Sequence, residues 1–254
     1  MKKFLLVASA VLSLSACVSE TTIDGKRVEA SPNLESAAKT RMSLGIEYLK
    51  QGNTQQAKFN LEKALEYDPR NPEIHRTLAY YYEVVNEPLQ AEDAYKKALS
   101  YDRSNADTMN NYGTFLCRQE KFEEAEKQFK NAVKQKSYIR VDDTYENAGL
   151  CARKAGELEK AKEYFNSALS HNPQKPLSLV EMAAIAVEQQ DYDGARAYLL
   201  KYQQLSSDTA HSLWTWISLE SAQNRETAVK SFGRRLVKKF PNSKESQKYL
   251  NNEY

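Results

Sequence analysis

A set of small and large residues recurs along this chain of 254 residues at a spacing of 34 positions. The clearest copy of the set consists of Gly113, Ala125, Phe129 and Ala132. Steps of 34 residues in both directions, with the first forward step lengthened by two, give four further copies: Ala79, Ala91, Tyr95 and Ala98; Gly45, Ala57, Leu61 and Ala64; Gly149, Ala161, Phe165 and Ala168; and Ala183, Ala195, Leu199 and Tyr202. Because a unit of this length cannot bury its apolar face alone, the chain is expected to fold as a stack of similar units.

A period of 34 residues is typical of tetratricopeptide repeats (TPRs), in which each unit is a pair of antiparallel helices. Gly113 and Ala125 would let the two helices of a pair approach closely, with Phe129 filling the space beside them. Pro69 and Pro173 occupy the same repeat position and predict the ends of second helices. The pattern therefore predicts an all-α TPR solenoid of about six repeats that forms a right-handed superhelix. The predicted repeats lie near 38–71, 72–105, 106–139, 142–175, 176–209 and 210–243, with Arg140–Val141 as a two-residue insertion.

The sixth predicted repeat departs from the pattern of the others. Ala228, Phe232 and Pro241 match a second helix, but Trp214 and Trp216 stand where the first helix has small residues elsewhere. Terminal repeats of a solenoid cover the open end of the stack and are usually atypical. We expect the tryptophans to be core and capping residues, and a ligand cage formed by them is the alternative. Residues 244–254 are predicted to be a polar tail, and extension of a helix into it is the alternative.

The N-terminus has the pattern of a bacterial secretion signal. Two lysines precede an apolar run from Phe4 to Leu14, which is far shorter than the ~20 apolar residues of a membrane-spanning helix. The run ends in Leu14-Ser15-Ala16-Cys17, which resembles a lipobox, the sequence at which a signal is removed and a cysteine acylated. We therefore predict that residues 1–16 are a signal peptide and that Cys17 carries a covalent lipid. An ordinary signal peptide with an incidental cysteine is the alternative.

The mature chain predicted in this way is a neutral protein on a polar tether. By resemblance to lipoproteins, Val18 after the cysteine implies sorting to the outer membrane, so the chain would be anchored at its periplasmic face. Residues 17–37 carry Gly25 and Pro32 without a sustained apolar period, and we read them as the tether. Loss of the two N-terminal lysines would leave 34 basic and 34 acidic residues, which argues against a nucleic-acid partner.

The sequence lacks the motifs of common enzymes and metal sites. It contains no Gly-rich phosphate loop after a strand, no G-x-S-x-G motif and no H-E-x-x-H motif. The histidines His75, His171 and His211 are isolated, and His75 falls at a core-facing position of the second repeat. We therefore expect neither an enzyme nor a metal protein, and no cofactor besides the lipid on Cys17.

Cys117 and Cys151 are predicted to form a disulfide. Secretion places them in an oxidising compartment, and they remain as an even pair once Cys17 is acylated. Both lie late in the first helices of adjacent repeats, which are neighbours in the stack. Two buried thiols that never meet are the alternative, and a count of thiols on the denatured, unreduced protein distinguishes the two.

The predicted partner-binding surface follows from the ~100° turn per residue of an α-helix. Positions 2, 5, 9 and 12 of each first helix should point to the concave side of the solenoid. In the first repeat these positions are Lys39, Met42, Ile46 and Leu49, and the second repeat adds Arg76 and Tyr80. The apolar members predict a groove for an amphipathic helix or an extended peptide. Cover by the tether or by a neighbouring helix is the alternative.

Polar residues are expected to line the middle of the same channel. They are Asn110, Asn111, Arg118, Asn147 and Arg153. Asparagine side chains pair a donor with an acceptor and can therefore hold a peptide backbone. The middle of the channel is thus predicted to contact the main chain of a bound segment.

The strings NNYGTFLC in the third repeat and YENAGLC in the fourth, together with the lipobox, indicate a family. The chain resembles the type IV pilus biogenesis and stability lipoproteins, the PilF/PilW group. The resemblance implies a pilotin, which helps the pilus secretin to reach the outer membrane and to form multimers. It further implies that Cys17 is the anchor and that the groove of the first repeat contacts the secretin. We expect a monomer; a general periplasmic scaffold and an enzyme-associated adaptor are the rival interpretations.

Overall fold

The computed structural model of the protein describes residues 22–23, 26–27 and 33–254. Two short strands, β1 (Thr22–Ile23) and β2 (Lys26–Arg27), pair antiparallel with Thr22 opposite Arg27. The first helices of the six pairs, and the helix that follows the last pair, are α1 (Leu34–Lys50), α3 (Pro72–Val84), α5 (Ala106–Arg118), α7 (Val141–Lys154), α9 (Pro176–Glu188), α11 (Ala210–Ala222) and α13 (Lys244–Leu250). The helices between them are α2 (Thr54–Tyr67), α4 (Pro88–Tyr101), α6 (Phe122–Val133), α8 (Leu158–His171), α10 (Tyr192–Leu205) and α12 (Glu226–Lys239).

The first twelve helices form six successive pairs, so the predicted all-α TPR solenoid is confirmed. Side-chain caps mark the start of several first helices, and a residue with positive φ lies in the turn of each pair. The side chains of Asn33, Asn71 and Asn105 accept hydrogen bonds from the first turns of α1, α3 and α5. The turn inside each pair contains one residue with positive φ, which is Gly52 in the first repeat and Gly156 in the fourth. The residue with positive φ therefore recurs with the period of the core, whereas α7 and α9 begin without a side-chain cap.

The interior confirms the predicted fit of small against large residues. A Cβ atom added to Gly113 would lie 2.7 Å from Cε1 of Phe129, and one added to Gly149 would lie 2.7 Å from Cε1 of Phe165. Both phenylalanines are buried, as are the alanines of the repeated set. His75 is also buried, as expected, and its Nε2 donates to the carbonyl oxygen of Pro69 at 2.9 Å.

The first repeat and the insertion differ in detail from the predicted boundaries. Helix α1 begins at Leu34, four residues before the predicted start of the solenoid at residue 38, because Asn33 caps it. Arg140 remains in the loop between α6 and α7, whereas Val141 begins α7. Arg140 contacts Asp107 at 3.2 Å and Asp143 at 3.0 Å, so the insertion is tied to both neighbouring first helices. The predicted signal peptide and Cys17 lie outside the described residues.

The predicted polar tail is part of the fold. Residues 244–250 form helix α13, which is capped by Ser243 and packs against α11 and α12. Tyr249 occupies the space over Gly233, where any side chain would clash with its ring. Trp216 is buried and stacks on Phe232 with ring centroids 5.0 Å apart, so it is a core residue as expected. No helix among the described residues is long and apolar enough to cross a membrane.

Candidate partner-binding surface

Side chains at position 12 of the first helices reach the next first helix along the stack. Glu83 of α3 binds Arg118 of α5, with Oε2 and Nη2 2.9 Å apart. Arg153 of α7 contacts Glu188 of α9, with Nη2 and Oε1 2.6 Å apart. Cys117, also at position 12, bonds to Cys151 of α7. This position therefore joins neighbouring repeats and is only partly available to a partner.

The structure contains the disulfide between Cys117 and Cys151. Their Cα atoms are 5.7 Å apart, and both side chains are buried between α5 and α7. Near it, the ammonium of Lys154 lies 3.4 Å from the carbonyl oxygen of Cys117 and 3.3 Å from that of Arg118. The bond and these contacts hold the third repeat to the fourth beside the insertion.

The groove predicted on the first repeat is smaller than expected. Leu49 is only 8% exposed and belongs to the core, so its assignment to the groove was wrong. The physical reason is its place at position 12, where side chains are directed to the next repeat. Met42 is half-buried and packs against the same core, and Ile46 is half-buried. Lys39 is exposed and pairs with Glu35 at 2.7 Å.

Exposed apolar surface instead continues onto the second repeat. Tyr80 is 52% exposed, and Val84, one turn further along α3, is also exposed. Arg76 precedes them on the same helix and is half-buried. With Ile46 at the equivalent position of α1, these residues form an N-terminal patch, defined here as Ile46, Arg76, Tyr80 and Val84. The patch mixes apolar contact area with one cation.

The polar residues in the middle of the channel are largely bonded to one another. Asn110 is only 3% exposed, and its Oδ1 accepts a hydrogen bond from Nδ2 of Asn147 at 3.1 Å. The prediction that Asn110 meets a peptide backbone was therefore wrong, because this amide joins α5 to α7. Asn111 and Asn147 are half-buried, while Arg118 and Arg153 form the ion pairs described above. The middle of the surface thus serves mainly to connect repeats.

Burial perturbs the ionisation of the Glu83 contact. The hydroxyl of Tyr95 donates to Oε1 of Glu83 at 2.6 Å, whereas Arg118 contacts Oε2. Burial raises the pKa of Glu83 above its usual range, although the Tyr95 hydroxyl and the Arg118 guanidinium both favour the carboxylate. Burial and the adjacent carboxylate raise the pKa of Tyr95 well above its ordinary value. The arrangement links α3, α4 and α5 below the exposed Tyr80 and Val84.

A second ionic cluster stabilises the boundary between the fourth and fifth repeats. The ammonium of Lys175 lies 2.6 Å from Oδ1 of Asp143 and 3.2 Å from Oε1 of Glu146. The other oxygen of Glu146 accepts from the amide and the hydroxyl of Ser178 at 3.0 and 2.7 Å. The hydrogen bond from Lys175 is the main cause that lowers the pKa of Asp143. This cluster is structural, because its members bind one another.

The C-terminal half of the surface contains a cleft of about 300 Å³. Its walls come from four helices: Arg153 of α7, Val187 of α9, Trp214 of α11 and Lys248 of α13 are examples. The ammonium of Lys248 lies 5.6 Å from the centre of the Trp214 ring. We call this feature the C-terminal cleft. Sequence reasoning did not predict this cleft, because it took Trp214 as a core and capping residue, with a ligand cage as the alternative, and residues 244–254 as a polar tail.

A buried glutamate lies beside the C-terminal cleft. Glu181 is only 7% exposed, and its carboxylate lies 3.1 Å from Nε of Arg153 and 3.1 Å from Nε2 of His211. The angles of these contacts are not those of hydrogen bonds, and Nη1 of Arg153 is buried without a hydrogen-bond partner among the described residues. No group of three or more His, Cys, Asp or Glu side chains in the described part of the chain is arranged to hold a metal ion.

Comparison with known proteins agrees with the fold of six helix pairs. Models of the family described as tetratricopeptide repeat match residues 38–71, 104–174 and 152–212. The protein is therefore a TPR protein. It is 35% identical to the type IV pilus assembly protein PilF of Pseudomonas aeruginosa over 245 residues, which are 96% of each chain.

Two solved structures resemble the chain over most of its length. The structure of Pseudomonas aeruginosa PilF has a TM-score of 0.76 and 34% identity, and the match covers 86% of this chain and 99% of that one. The structure of PilW, described as a widely conserved type IV pilus biogenesis factor, has a TM-score of 0.75 and 27% identity, with 84% and 98% covered. The chain belongs to the PilF/PilW-like family of TPR proteins.

Proposed function

We propose that this protein is a type IV pilus biogenesis adaptor that binds the pilus secretin and promotes its multimerisation in the outer membrane. The observation that carries the proposal is the 35% identity to the pilus assembly protein PilF over 96% of both chains. A stack of TPRs offers an extended surface on which other proteins can bind, and this supports the role of an adaptor. The adaptor acts as a monomer in this proposal.

The N-terminal patch is the proposed contact for the secretin. Tyr80 gives a large, rigid contact area with a polar tip, and residues of this kind often dominate binding energy at interfaces. Ile46 and Val84 extend the apolar area on either side of it. An amphipathic helix or an extended segment of the secretin would therefore pack its apolar side chains here.

The proposed anchor is a lipid on Cys17, which lies outside the described residues. The lipobox-like Leu14-Ser15-Ala16-Cys17 supports it, as does the secretion signal before it. The lipid would hold the solenoid at the periplasmic face of the outer membrane, and the bound secretin would be carried with it. Replacing Cys17 by Ser should move the protein to the soluble periplasmic fraction and leave the secretin outside the outer membrane.

The substitution Tyr80→Asp tests the secretin contact in a strain that lacks the chromosomal gene. The variant should bind the secretin at least about thirtyfold more weakly, since central aromatic contacts are worth about 2 kcal/mol or more. Heat-resistant secretin multimers, detected by immunoblot of outer-membrane fractions, should decrease in parallel. The fold should be unaffected because the side chain is 52% exposed.

Leu200→Asp is the matched control, because Leu200 is 50% exposed but lies on the second helix α10. It should leave secretin multimers at the wild-type level. Equal loss in both variants would point to instability instead of a contact. Normal multimers in a strain that lacks the whole protein would reject the secretin proposal and favour a general periplasmic scaffold.

A further inference from the structure

The inter-repeat rim of the solenoid carries exposed apolar side chains. We define this rim by Leu34 at the start of α1 and by residues 67–71, 101–105 and 134–140, which connect a second helix to the next first helix. Leu34 is 49% exposed, Tyr101 is 46% exposed and Ile139 is 90% exposed. Among the described residues, Ile139 is the most exposed of the large apolar side chains. Single apolar residues are common on protein surfaces, but three along one rim, one of them almost fully in water, make that rim a candidate contact surface.

The loop that presents Ile139 is held on both sides. The hydroxyl groups of Tyr138 and Thr144 are hydrogen-bonded with their oxygen atoms 2.8 Å apart, and the Tyr138 ring packs against a buried cluster of the third repeat. On the other side, Arg140 forms the two ion pairs described above. Because both of its neighbours are bound to the protein, Ile139 is presented in a fixed place and loses little conformational freedom when it meets a partner.

The same rim is where the chain enters the solenoid. Arg140, which precedes α7, reaches Asp107 in the first turn of α5, with Nη1 and Oδ1 3.2 Å apart. The starts of neighbouring first helices therefore lie side by side along one rim, and the repeat places the start of α1 there as well. Cys17 precedes the Asn33 cap of α1 by 16 residues, so a lipid on Cys17 would lie within about 55 Å of this rim. The inter-repeat rim is therefore the part of the solenoid nearest to the proposed anchor along the chain.

The charges of the rim nearly cancel, so charge does not choose the partner. Loops 68–71, 102–105 and 134–140 contain five basic and two acidic residues. The first turns of α3, α5 and α7 add four carboxylates, which belong to Glu73, Asp107, Asp142 and Asp143. A nearly neutral rim suits headgroups that carry both charges, such as phosphatidylethanolamine, better than it suits a polyanion or a polycation.

The spacing of the apolar side chains also favours a lipid surface over a protein. Leu34, Tyr101 and Ile139 belong to separate connections, and first helices about 8–10 Å apart spread them over on the order of 30 Å. A protein partner needs a continuous complementary area of about 800 Å². A lipid surface instead accepts single side chains that project into the boundary between headgroups and acyl chains.

We propose that the inter-repeat rim rests on a lipid surface, with Ile139 inserted at the boundary between headgroups and acyl chains. The first helices would then extend away from the membrane, and Tyr80, eight residues after Pro72, would lie about 12 Å from the rim. The N-terminal patch would face sideways, where a secretin in the same membrane could reach it. The proposal rests on the lipid anchor of the proposed function for the nearness of the membrane, and it does not depend on secretin binding.

Quenching of a fluorophore by lipid acyl chains tests the contact. The full-length protein, purified from membranes in detergent, is reconstituted into vesicles of phosphatidylethanolamine and phosphatidylglycerol that contain phospholipids brominated on their acyl chains. A nitrobenzoxadiazole label on Ile139→Cys should be quenched at least about threefold more strongly than the same label on Leu89→Cys. Leu89 is the matched control, because it is 81% exposed and lies at the start of α4, on the opposite rim. Cys117 and Cys151 form a disulfide and do not take the label.

A second variant shows whether Ile139 itself holds the rim to the lipid. With the label on Arg103→Cys, adding Ile139→Asp should lower the fraction of protein in contact about tenfold, as expected for the loss of one buried aliphatic side chain. Adding Leu89→Asp instead should leave that fraction unchanged. Equal quenching at positions 139 and 89, or quenching at 103 that Ile139→Asp does not reduce, would overturn the proposal. So would a label at 139 that is shielded only when secretin is added, since the rim would then contact a protein.

Failure of the anchor gives a different result from failure of the rim. A chain that does not enter the vesicles would refute the lipid on Cys17 alone. The same quenching is then measured on a chain with a histidine tag in place of residues 1–17, bound to vesicles that contain nickel-chelating lipid. Quenching at 139 but not at 89 would support the rim contact there, and equal values would overturn it.

Discussion

Reducing the disulfide between Cys117 and Cys151 should lower the free energy of unfolding of the solenoid. The bond closes a loop with a sequence separation of 34 residues. For a loop of that length, the chain-entropy relation predicts that the bond stabilises the folded protein by roughly 4 kcal/mol at 25 °C, because it lowers the entropy of the unfolded chain. Reduction keeps both sulfur atoms in place, so it changes the unfolded chain with little loss of packing in the folded one.

Urea unfolding followed by circular dichroism measures the effect. Oxidised protein and protein reduced with a phosphine should differ in unfolding midpoint, with the reduced form unfolding at lower urea. For the variant in which Cys117 and Cys151 are both alanine, the reductant should have no effect. Titration of thiols on the denatured, unreduced protein should detect none from these two residues.

The reasoning fails on either of two outcomes. Two reactive thiols before reduction would show that the pair is not oxidised in the purified protein. A midpoint that reduction does not change would show that contacts between the third and fourth repeats, such as Asn147 with Asn110, already restrict the chain as much as the bond does.

Two further predictions concern packing and charge. Gly113→Ala should destabilise the protein by about 1 kcal/mol or more, because crowding against Phe129 outweighs the gain of ~1 kcal/mol in helix propensity. Unchanged stability in urea would contradict this prediction. Adding Phe129→Leu to the Gly113→Ala variant should recover part of the lost stability. Lys175→Met should cost about 2 kcal/mol at neutral pH, because it leaves Asp143 and Glu146 without their cation. Since Lys175 lowers the pKa of Asp143, that stabilisation is present above the ordinary carboxyl pKa of about 4 and is lost as the pH falls through the lowered value. Wild type and variant should therefore converge in stability at acidic pH, and a difference that persists below the lowered pKa would refute the assignment.

The fold could be predicted from the sequence because the repeated residues are themselves the contacts between paired helices. Gly113 and Gly149 lack side chains where the rings of Phe129 and Phe165 pack, and the period of these pairs gives the number of repeats and their spacing. The cysteine pairing could be inferred for a related reason, since each first helix lies beside the next.

The surface was harder to predict because a helical wheel treats each helix as isolated. By that measure Leu49 and Arg153 point outward, but the next first helix covers position 12 in the stack. The packing of helix α13 on α11 and α12 was not predicted for another reason: the helix is short and mostly polar, and only Ser246 within it is buried. Tyr249 of α13 fills the space over Gly233, and no periodicity in the sequence predicts this contact.

These corrections change where binding is expected along the solenoid. The middle of the first-helix surface uses Asn110, Asn147 and the disulfide to connect repeats, so few of its groups remain for a partner. Available side chains lie toward the two ends, with apolar Tyr80 and Val84 at one and the C-terminal cleft at the other. The repeats joined by the disulfide and by Asn110 with Asn147 lie between these two ends and would separate two segments bound there. Under the function proposed above, a partner that contacted both ends would bind more tightly than one that contacted either end alone, because the second contact would form within the same complex.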